Sequence, residues 1–225
     1  MSGNNISPRS LLHLGKDDVE DLEDDQGYFS FGYSSDIVSD ALKNLYGFSG
    51  LLRGVKPVSG GVSVHGFVRT AVTGSDDWGT CIKAIYECEP GEILLVQCSD
   101  ENFAVWGELA SRAALNHGLA ATVIVGSTRD TRAVIELGYP LFSSSVKSCA
   151  GKASNNGKIS CDLFIGDMVV CTGDFIICDD DGVVVVSKDN FDEVLSEAES
   201  IKNFENECVH RMMDDDENLD DILGI

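Results

Sequence analysis

The sequence predicts a mixed α/β fold, and three patterns support that class. Two near-continuous apolar runs, Glu92–Cys98 and Ala121–Val125, are typical of buried strands, and they flank a helical segment at Gly107–His117. Short apolar runs separated by Gly-Asp turns fill residues 161–187, and an amphipathic pattern covers Phe191–Met213. The chain should therefore have a strand–helix–strand core, a C-terminal β-meander and a long C-terminal helix.

The N-terminal region combines an acidic segment with two ordered elements. Residues 1–26 include DDVEDLEDD and are predicted to be a flexible arm, so the folded domain should span 27–225. Apolar residues recur on one face of Ser34–Tyr46, and Gly47 follows them, which is typical of a short capped helix. Residues 62–72 alternate between apolar and polar side chains, which predicts a strand.

The remaining elements follow from local composition. Gly107–His117 is rich in Ala and Leu and Gly118 ends it, which indicates a helix between the two buried strands. A helical connection makes those strands parallel with a right-handed crossover. A short helix is expected near Arg132–Leu137. Tight turns in 161–187 predict the meander, and the charged opposite face of Phe191–Met213 predicts a surface helix.

The formal net charge of −22 is concentrated at the two ends of the chain. Residues 1–26 hold seven acids and two bases, and residues 189–225 hold thirteen acids and two bases. We interpret this acidity as a solubility feature rather than a partner-binding tail. It repels phosphates, so no direct nucleic acid binding is expected. A site for a small anion must then supply its own positive potential.

Three features of the sequence concern the cellular location of the protein. No segment approaches the roughly 18 apolar residues of a membrane helix, so no membrane span is expected. The start MSGNNISPRS lacks the basic and apolar regions of a secretory signal. The eight cysteines form no C-x-x-C pair and are expected to be reduced, buried side chains. We therefore expect a cytoplasmic protein.

Several common catalytic motifs are absent from the sequence. It contains no P-loop, no dinucleotide-binding G-x-G-x-x-G after a strand and no G-x-S-x-G elbow. The four histidines have no ligand-like spacing, which argues against a zinc site. Ligands in parallel α/β folds gather at the carboxyl ends of the strands, so the candidate site should lie there.

Two segments should meet at that edge of the sheet. Gly107–Ala110 opens the first helix, and Arg129 with Asp130 follows the second strand. The residues between Glu108 and Arg129 are enough to carry the chain out along a helix and back along a strand. The carboxylates of Glu108 and Asp130 and the guanidinium of Arg129 can then converge around the free N–H groups of a helix start.

This set of groups suits a small 2-keto acid with a divalent cation. The amides of Glu108, Leu109 and Ala110 can hold a carboxylate. Arg129 adds a rigid fork of donors for the acid and the keto oxygen. Oxygen ligands such as Asp130 and Glu108 suit Mg²⁺ or Mn²⁺, which would polarise the keto oxygen and stabilise an enolate.

Each of these residues also has a simpler structural interpretation. Asp130 could cap the helix that follows it, and Glu108 is favourable in a first turn through the helix dipole. Arg129 could form a surface ion pair, and Gly107 could be a packing glycine. Taken one at a time, the residues favour structure over chemistry.

Motifs in a fixed order along the chain add a resemblance. They are SDAL at 39–42, EPGEILLVQ at 89–97, WGELASRAALNHGLAATVIVGSTRD at 106–130, YPLF at 139–142 and GDFIICDDDGVVVV at 173–186. Over residues 30–225 the chain resembles the RraA-like proteins. These include the regulator of ribonuclease E activity and the class II 4-hydroxy-4-methyl-2-oxoglutarate (oxaloacetate-decarboxylating) aldolases.

The resemblance implies a fold, an assembly and site residues. The fold would be a swivelling β/β/α-type domain that forms homotrimers or hexamers with sites at the subunit interfaces. Gly107–Ala110 would bind the substrate carboxylate, Arg129 the substrate, and Asp130 the metal.

Two positions differ from the residue that is usual in the family, and one further family residue lies on the C-terminal helix. Glu108 stands where the aldolases usually place an Asp that holds a metal-bound water, and Val125 where many members have Asp or Asn. The family aldolases also use a glutamate from a neighbouring subunit's C-terminal helix, a part that Glu205 or Glu207 could play.

We therefore expect a Mg²⁺- or Mn²⁺-dependent lyase that produces pyruvate. It would cleave 4-hydroxy-4-methyl-2-oxoglutarate by a retro-aldol step or decarboxylate oxaloacetate, with Arg129 and Glu108 as catalytic groups. The alternative is a non-catalytic ring that binds and inhibits an RNA-processing ribonuclease, since an acidic surface attracts basic segments. A third possibility is a family member without turnover whose pocket still holds a small acid.

Overall fold

A nine-stranded sheet is the framework of residues 32–225, the part of the chain that the computed structural model describes. The predicted acidic arm at 1–26 and the predicted domain start at 27 lie outside these residues. The strands are β1 (Lys56–Pro57), β2 (Val64–Thr73), β3 (Ile93–Cys98), β4 (Ala104–Trp106), β5 (Ala121–Thr128), β6 (Leu141–Val146), β7 (Lys158–Ile159), β8 (Leu163–Ile165), β9 (Met168–Val170), β10 (Phe175–Cys178) and β11 (Val183–Val186). The helices are α1 (Ser35–Tyr46), α2 (Gly79–Ile85), α3 (Glu108–His117), α4 (Thr131–Leu137), α5 (Phe191–Asp214) and α6 (Leu219–Leu223).

The centre of the sheet is parallel and covered on both faces. β3 pairs in parallel with β2 and with β5, and β6 extends the parallel region beyond β5. The successive residues Ile93, Leu94 and Leu95 are fully buried and alternate between two hydrophobic clusters. Strands buried on both faces are continuously apolar, which is the pattern that the sequence shows. The predicted mixed α/β class and the strand–helix–strand unit are confirmed.

The predicted helices α1 and α5 are confirmed, and six smaller elements were not predicted. α1 ends at Gly47, whose φ of 77° gives the left-handed helix stop. α5 extends one residue beyond the predicted end. The missed elements are the helices α2 and α6 and the strands β1, β4, β6 and β7. Most of them are too short to show a period: α2 has seven residues and β4 three. Within residues 32–225, no helix combines the length and the apolar character that crossing a membrane requires.

The predicted meander over 161–187 divides into two hairpins, so that part of the prediction was wrong. β8 and β9 pair only with each other in a separate two-stranded sheet. β10 instead pairs with β11 and with β2, which is far away in the sequence. The crossing occurs at Gly173 and Asp174, where the amide of Gly173 donates to Val68 O (2.9 Å) and Asp174 O accepts from Val68 N (2.8 Å). Local turn signals predicted the strands but could not specify their partners.

Candidate active site

The start of α3 and the end of β5 are joined at the carbonyl of Trp106. Trp106 pairs with Thr128 across the parallel strands β4 and β5. Its carbonyl oxygen accepts from Thr128 Oγ1 (3.1 Å) and from the amide of Arg129 (2.9 Å). The next residue, Gly107, therefore lies directly beside Arg129 and Asp130. The structure brings together the two segments in which the candidate site was expected.

Gly107 is a position of close contact rather than of unusual backbone geometry. Its φ of −171° is extended backbone that any residue adopts. A β-carbon there would lie 2.5 Å from Asp130 Oδ2 and 3.1 Å from Arg129 Cγ. A side chain at position 107 would therefore force the Asp130 and Arg129 side chains to move.

Asp130 adopts a left-handed conformation, with φ 55° and ψ 33°, immediately before α4. Its side chain makes no capping bond to α4, so the simple capping interpretation was wrong. The carboxylate faces the start of α3 instead, where Oδ2 accepts from the amide of Glu108 (3.3 Å) and lies 3.4 Å from Arg129 Nε. A left-handed residue costs roughly 1–2 kcal/mol, which Asp tolerates better than most residues.

Arg129 presents unused donors to solvent. Its guanidinium is about half exposed and makes its one ion pair within residues 32–225 with Asp130. That contact involves Nε, and neither Nη1 nor Nη2 has a hydrogen-bond partner in this part of the chain. A guanidinium with free terminal donors can bind a carboxylate in a bidentate manner.

The helix start offers two free amides rather than the three that were expected. The amide of Glu108 donates to Asp130 Oδ2, so it is already occupied. The amides of Leu109 and Ala110 have no acceptor among the residues that the structure describes. The start of α3 can therefore still bind an anion, but through two N–H groups.

Glu108 does not line the cleft beside Asp130, contrary to the expectation that both carboxylates converge. Its Oε1 accepts from Arg112, at 2.9 Å from both Nε and Nη2, one turn along α3. The i,i+4 spacing on an exposed helix face explains this pairing. Such a pair contributes only about 0.3–0.5 kcal/mol, so it is easily opened.

The converging groups open into a cleft of about 120 Å³. This is several times the roughly 30 Å³ that a water molecule occupies in the liquid, and it suits a small organic acid. Arg129 and Asp130 are its charged residues, and the apolar lining comes mainly from Trp78, Ile82, Val105, Leu109, Ala110 and Ala150.

Trp78 and Ile82 were missed by the sequence analysis. They lie on or next to α2, the helix that showed no period. The one signal was a tryptophan in the polar stretch SDDWGT, where an exposed aromatic residue has no obvious structural role.

Asp77 stabilises the segment that places Trp78 in the cleft lining. It is buried and accepts from Thr73 Oγ1, Thr80 Oγ1 and the amide of Gly79. It also accepts from the three successive amides of residues 154–156, at 2.7–3.0 Å. Burial by itself would raise the pKa of Asp77, but these hydrogen bonds outweigh it, and the pKa lies well below its usual range.

The donor set fits a hard divalent cation that keeps most of its waters. Asp130 is the carboxylate that lines the cleft, and residues 32–225 contain no group of three or more His, Cys, Asp and Glu side chains suited to a metal. Mg²⁺ commonly binds through one or two carboxylates and several waters, and Asp130 provides one carboxylate to the cleft. Glu205 and Glu207 are exposed on α5 and do not line the cleft of their own chain.

The sequence profile of RraA-like proteins (Aldolase/RraA) matches residues 35–185. The chain belongs to the RraA-like family. A relative from Halalkalibacterium halodurans, named "Putative 4-hydroxy-4-methyl-2-oxoglutarate aldolase", is 31% identical over 179 residues, which cover 79% of this chain and 83% of that protein.

Solved structures of other proteins have the same RraA-like fold. An uncharacterized protein from Pseudomonas syringae matches with a TM-score of 0.75 and 26% identity over 85% of this chain and 92% of that one. RraAS2 of Streptomyces coelicolor, an unusual member of the RNase ES inhibitor RraA protein family, matches with a TM-score of 0.71 and 25% identity. That match covers 79% of this chain and 93% of RraAS2. The RraA-like fold predicted from the sequence motifs is confirmed.

Proposed function

We propose that this RraA-like protein is a divalent-metal-dependent lyase that cleaves a 2-keto acid and releases pyruvate. The observation that carries the proposal is the meeting of Arg129, Asp130 and the start of α3 in one cleft. The similarity to a relative named as an aldolase supports the same reaction class.

Arg129 binds and orients the substrate in this proposal. Its free terminal donors and the amides of Leu109 and Ala110 provide positive potential for the carboxylate of the keto acid. The keto oxygen then lies toward the guanidinium, which stabilises the negative charge that develops as the C–C bond breaks. Asp130 would hold Mg²⁺ or Mn²⁺, which supplies Lewis-acid polarisation of the keto oxygen.

Glu108 is the proposed proton acceptor. Opening its weak pair with Arg112 lets the carboxylate turn toward the cleft at small cost. Glu108 Oε1 would then take the proton of the substrate hydroxyl in the retro-aldol direction, directly or through a water. In a homotrimer or hexamer, Glu205 or Glu207 of a neighbouring copy could complete the site.

Pyruvate release from 4-hydroxy-4-methyl-2-oxoglutarate and from oxaloacetate tests this proposal. The assay is run with and without Mg²⁺ or Mn²⁺, against an enzyme-free blank. Arg129→Ala should lower kcat/KM by about 10²-fold or more. Arg132→Ala is the matched control, because that side chain is 92% exposed and pairs with Glu136 on the same helix. Equal rates for the wild type and Arg129→Ala would contradict the proposal.

A second function, inhibition of a ribonuclease, is supported by the similarity to RraAS2. The charge of −22 would favour a basic partner segment. Inhibition of a ribonuclease that persists in Asp130→Ala would favour this function, because the surface would then act without the site.

A further inference from the structure

The cleft lies in a basic stretch of an acidic chain. Residues 102–161, which provide most of the cleft lining, hold six basic and three acidic residues, whereas the whole chain has a formal net charge of −22. A local excess of positive charge raises the concentration of an anionic substrate at a site. The cations of this stretch that border the cleft are therefore candidates for substrate binding in addition to Arg129.

Two of these cations stand at the ends of residues 147–152, which we call the rim loop. Ala150 in this loop lines the cleft. At one end of the loop, the amide of Lys147 donates to Thr128 O (2.9 Å), and Thr128 directly precedes Arg129. Lys147 therefore begins next to the strand end that carries the guanidinium.

The other end of the rim loop lies against Trp78, a second residue of the lining. The carbonyl oxygen of Lys152 accepts from the amide of Trp78 (3.0 Å), and Gly151 O accepts from Trp78 Nε1 (3.1 Å). Lys147 and Lys152 thus flank the part of the loop that borders the cleft.

The backbone of the rim loop is fixed by contacts to its neighbours. The amide of Ala104 donates to Cys149 O (2.7 Å), and the amide of Lys152 donates to Asp76 O (2.6 Å). A β-carbon on Gly151 would lie 1.9 Å from Asp76 O, so these two backbones are in direct contact. The points from which the two lysine side chains extend are therefore fixed relative to the cleft.

Both lysine side chains are available to an anion. Lys147 and Lys152 are exposed, and neither forms an ion pair with another residue of 32–225. A lysine carries a compact charge on a flexible four-carbon stem, so it can reach a carboxylate at the mouth of a cleft.

We propose that Lys147 and Lys152 bind the distal carboxylate of a dicarboxylic 2-keto acid. This inference rests on the proposed function, in which Arg129 binds the carboxylate beside the keto group. Both substrates of the proposed function carry a second carboxylate at the opposite end of the molecule, and the rim loop supplies positive charge for it. The two lysines are then specificity-determining residues that favour a dicarboxylic over a monocarboxylic 2-keto acid.

Two probes of equal length test this inference, namely 2-oxoglutarate, which has the distal carboxylate, and 2-oxopentanoate, which lacks it. Neither has a 4-hydroxyl group or a carboxylate β to the keto group, so the proposed reaction cleaves neither of them. Their dissociation constants, and that of pyruvate, are measured by calorimetry on the full chain with Mg²⁺. The wild type should bind 2-oxoglutarate about threefold to tenfold more tightly than 2-oxopentanoate, the range expected for two exposed ion pairs.

Lysine variants assign this preference to the rim loop. Lys147→Met and Lys152→Met each remove one charge and keep the alkyl stem, so each should reduce the ratio of the two dissociation constants about twofold. The double variant should bring the ratio close to one, while pyruvate binding should change less, because pyruvate has no distal carboxylate. Lys147→Glu combined with Lys152→Glu should reverse the preference, since like charges then face each other.

Lys43→Met is the matched control. Lys43 is an exposed lysine on α1, a helix that packs on α5 and β11 and contributes no residue to the described lining of the cleft. This variant should leave the ratio unchanged. Added salt should shrink the preference of the wild type, because exposed charges are screened.

The outcomes separate this inference from the proposed function. If the wild type does not bind pyruvate, the proposed function fails, and this inference fails with it. If pyruvate binds but 2-oxopentanoate binds as tightly as 2-oxoglutarate, the inference about the rim loop alone is overturned. A preference that survives in the double methionine variant overturns it as well.

Discussion

Gly107 and Asp130 approach so closely that a β-carbon on Gly107 would lie 2.5 Å from Asp130 Oδ2. The contact joins the start of α3 to the residue that precedes α4. The Asp130 carboxylate makes no capping bond to its own helix and instead accepts from the amide of Glu108. The absence of a side chain at position 107 leaves room for this contact.

Gly107→Ala should therefore reduce activity far more than stability. The new methyl group would push the Asp130 and Arg129 side chains away from the start of α3, and a displacement of about 1 Å can cost about 10²-fold in rate. Pyruvate release measures the first effect and urea unfolding the second, for which a loss of about 1–3 kcal/mol is expected.

Gly60→Ala is the control for this prediction. Its β-carbon would meet only Asp180 Oδ1, at an ordinary 3.7 Å, so both activity and stability should stay near the wild-type values. An active Gly107→Ala protein would show that the close contact is irrelevant to the reaction.

Removal of the metal should abolish turnover, and substitution of Asp130 should weaken metal binding. Treatment with a chelator should stop pyruvate release, and added Mg²⁺ or Mn²⁺ should restore it, because a bound cation polarises the keto oxygen. Asp130→Asn should raise the metal concentration that gives half-maximal activity by about tenfold or more, since an amide is a weaker ligand than a carboxylate. Identical metal titrations for the two proteins would remove Asp130 from the metal site.

Asp77 should make stability depend on pH in the acid range. Its folded-state pKa lies below its ordinary value near 3.8, so it stabilises the fold above that pH. This stabilisation is lost as the pH falls from about 4 toward the folded-state pKa.

Asp77→Asn should cost about 2–4 kcal/mol at pH 7, because an amide nitrogen would face backbone donors that the carboxylate now accepts. The gap between the two proteins in urea unfolding should narrow below pH 4. A gap that stays constant down to pH 2.5 would contradict the proposed ionisation of Asp77.

Ser35 should link α1 to the β10–β11 hairpin through Asp179. Its amide and its hydroxyl both donate to the Asp179 carboxylate, at 2.7 and 2.6 Å. Burial by itself would raise the pKa of Asp179, but these bonds and two backbone amides hold it below its usual value. Ser35→Ala should cost about 1.5–3 kcal/mol in urea unfolding, whereas the exposed Ser200→Ala should cost almost nothing. Equal losses for the two variants would rule out this link.

The elements with long local patterns could be predicted from the sequence, and the partners of the short strands could not. The apolar composition around Ile93 by itself predicts a buried strand. In α5, apolar residues recur at the helical period over more than five turns. β10 carries no local signal that it pairs with β2 rather than β9, since that pairing depends on residues about a hundred positions away.

The amino-acid sequence by itself determined the α/β class, the order of its main elements and the proximity of Gly107 to Arg129 and Asp130. Periodicity and chain length are local properties that act before any tertiary contact forms. Only the tertiary structure decided that Asp130 turns toward α3, that Glu108 pairs with Arg112 and that Trp78 lines the cleft. Each of these side chains has several possible partners. Which partner comes within hydrogen-bond or packing distance is decided only when the chain has folded.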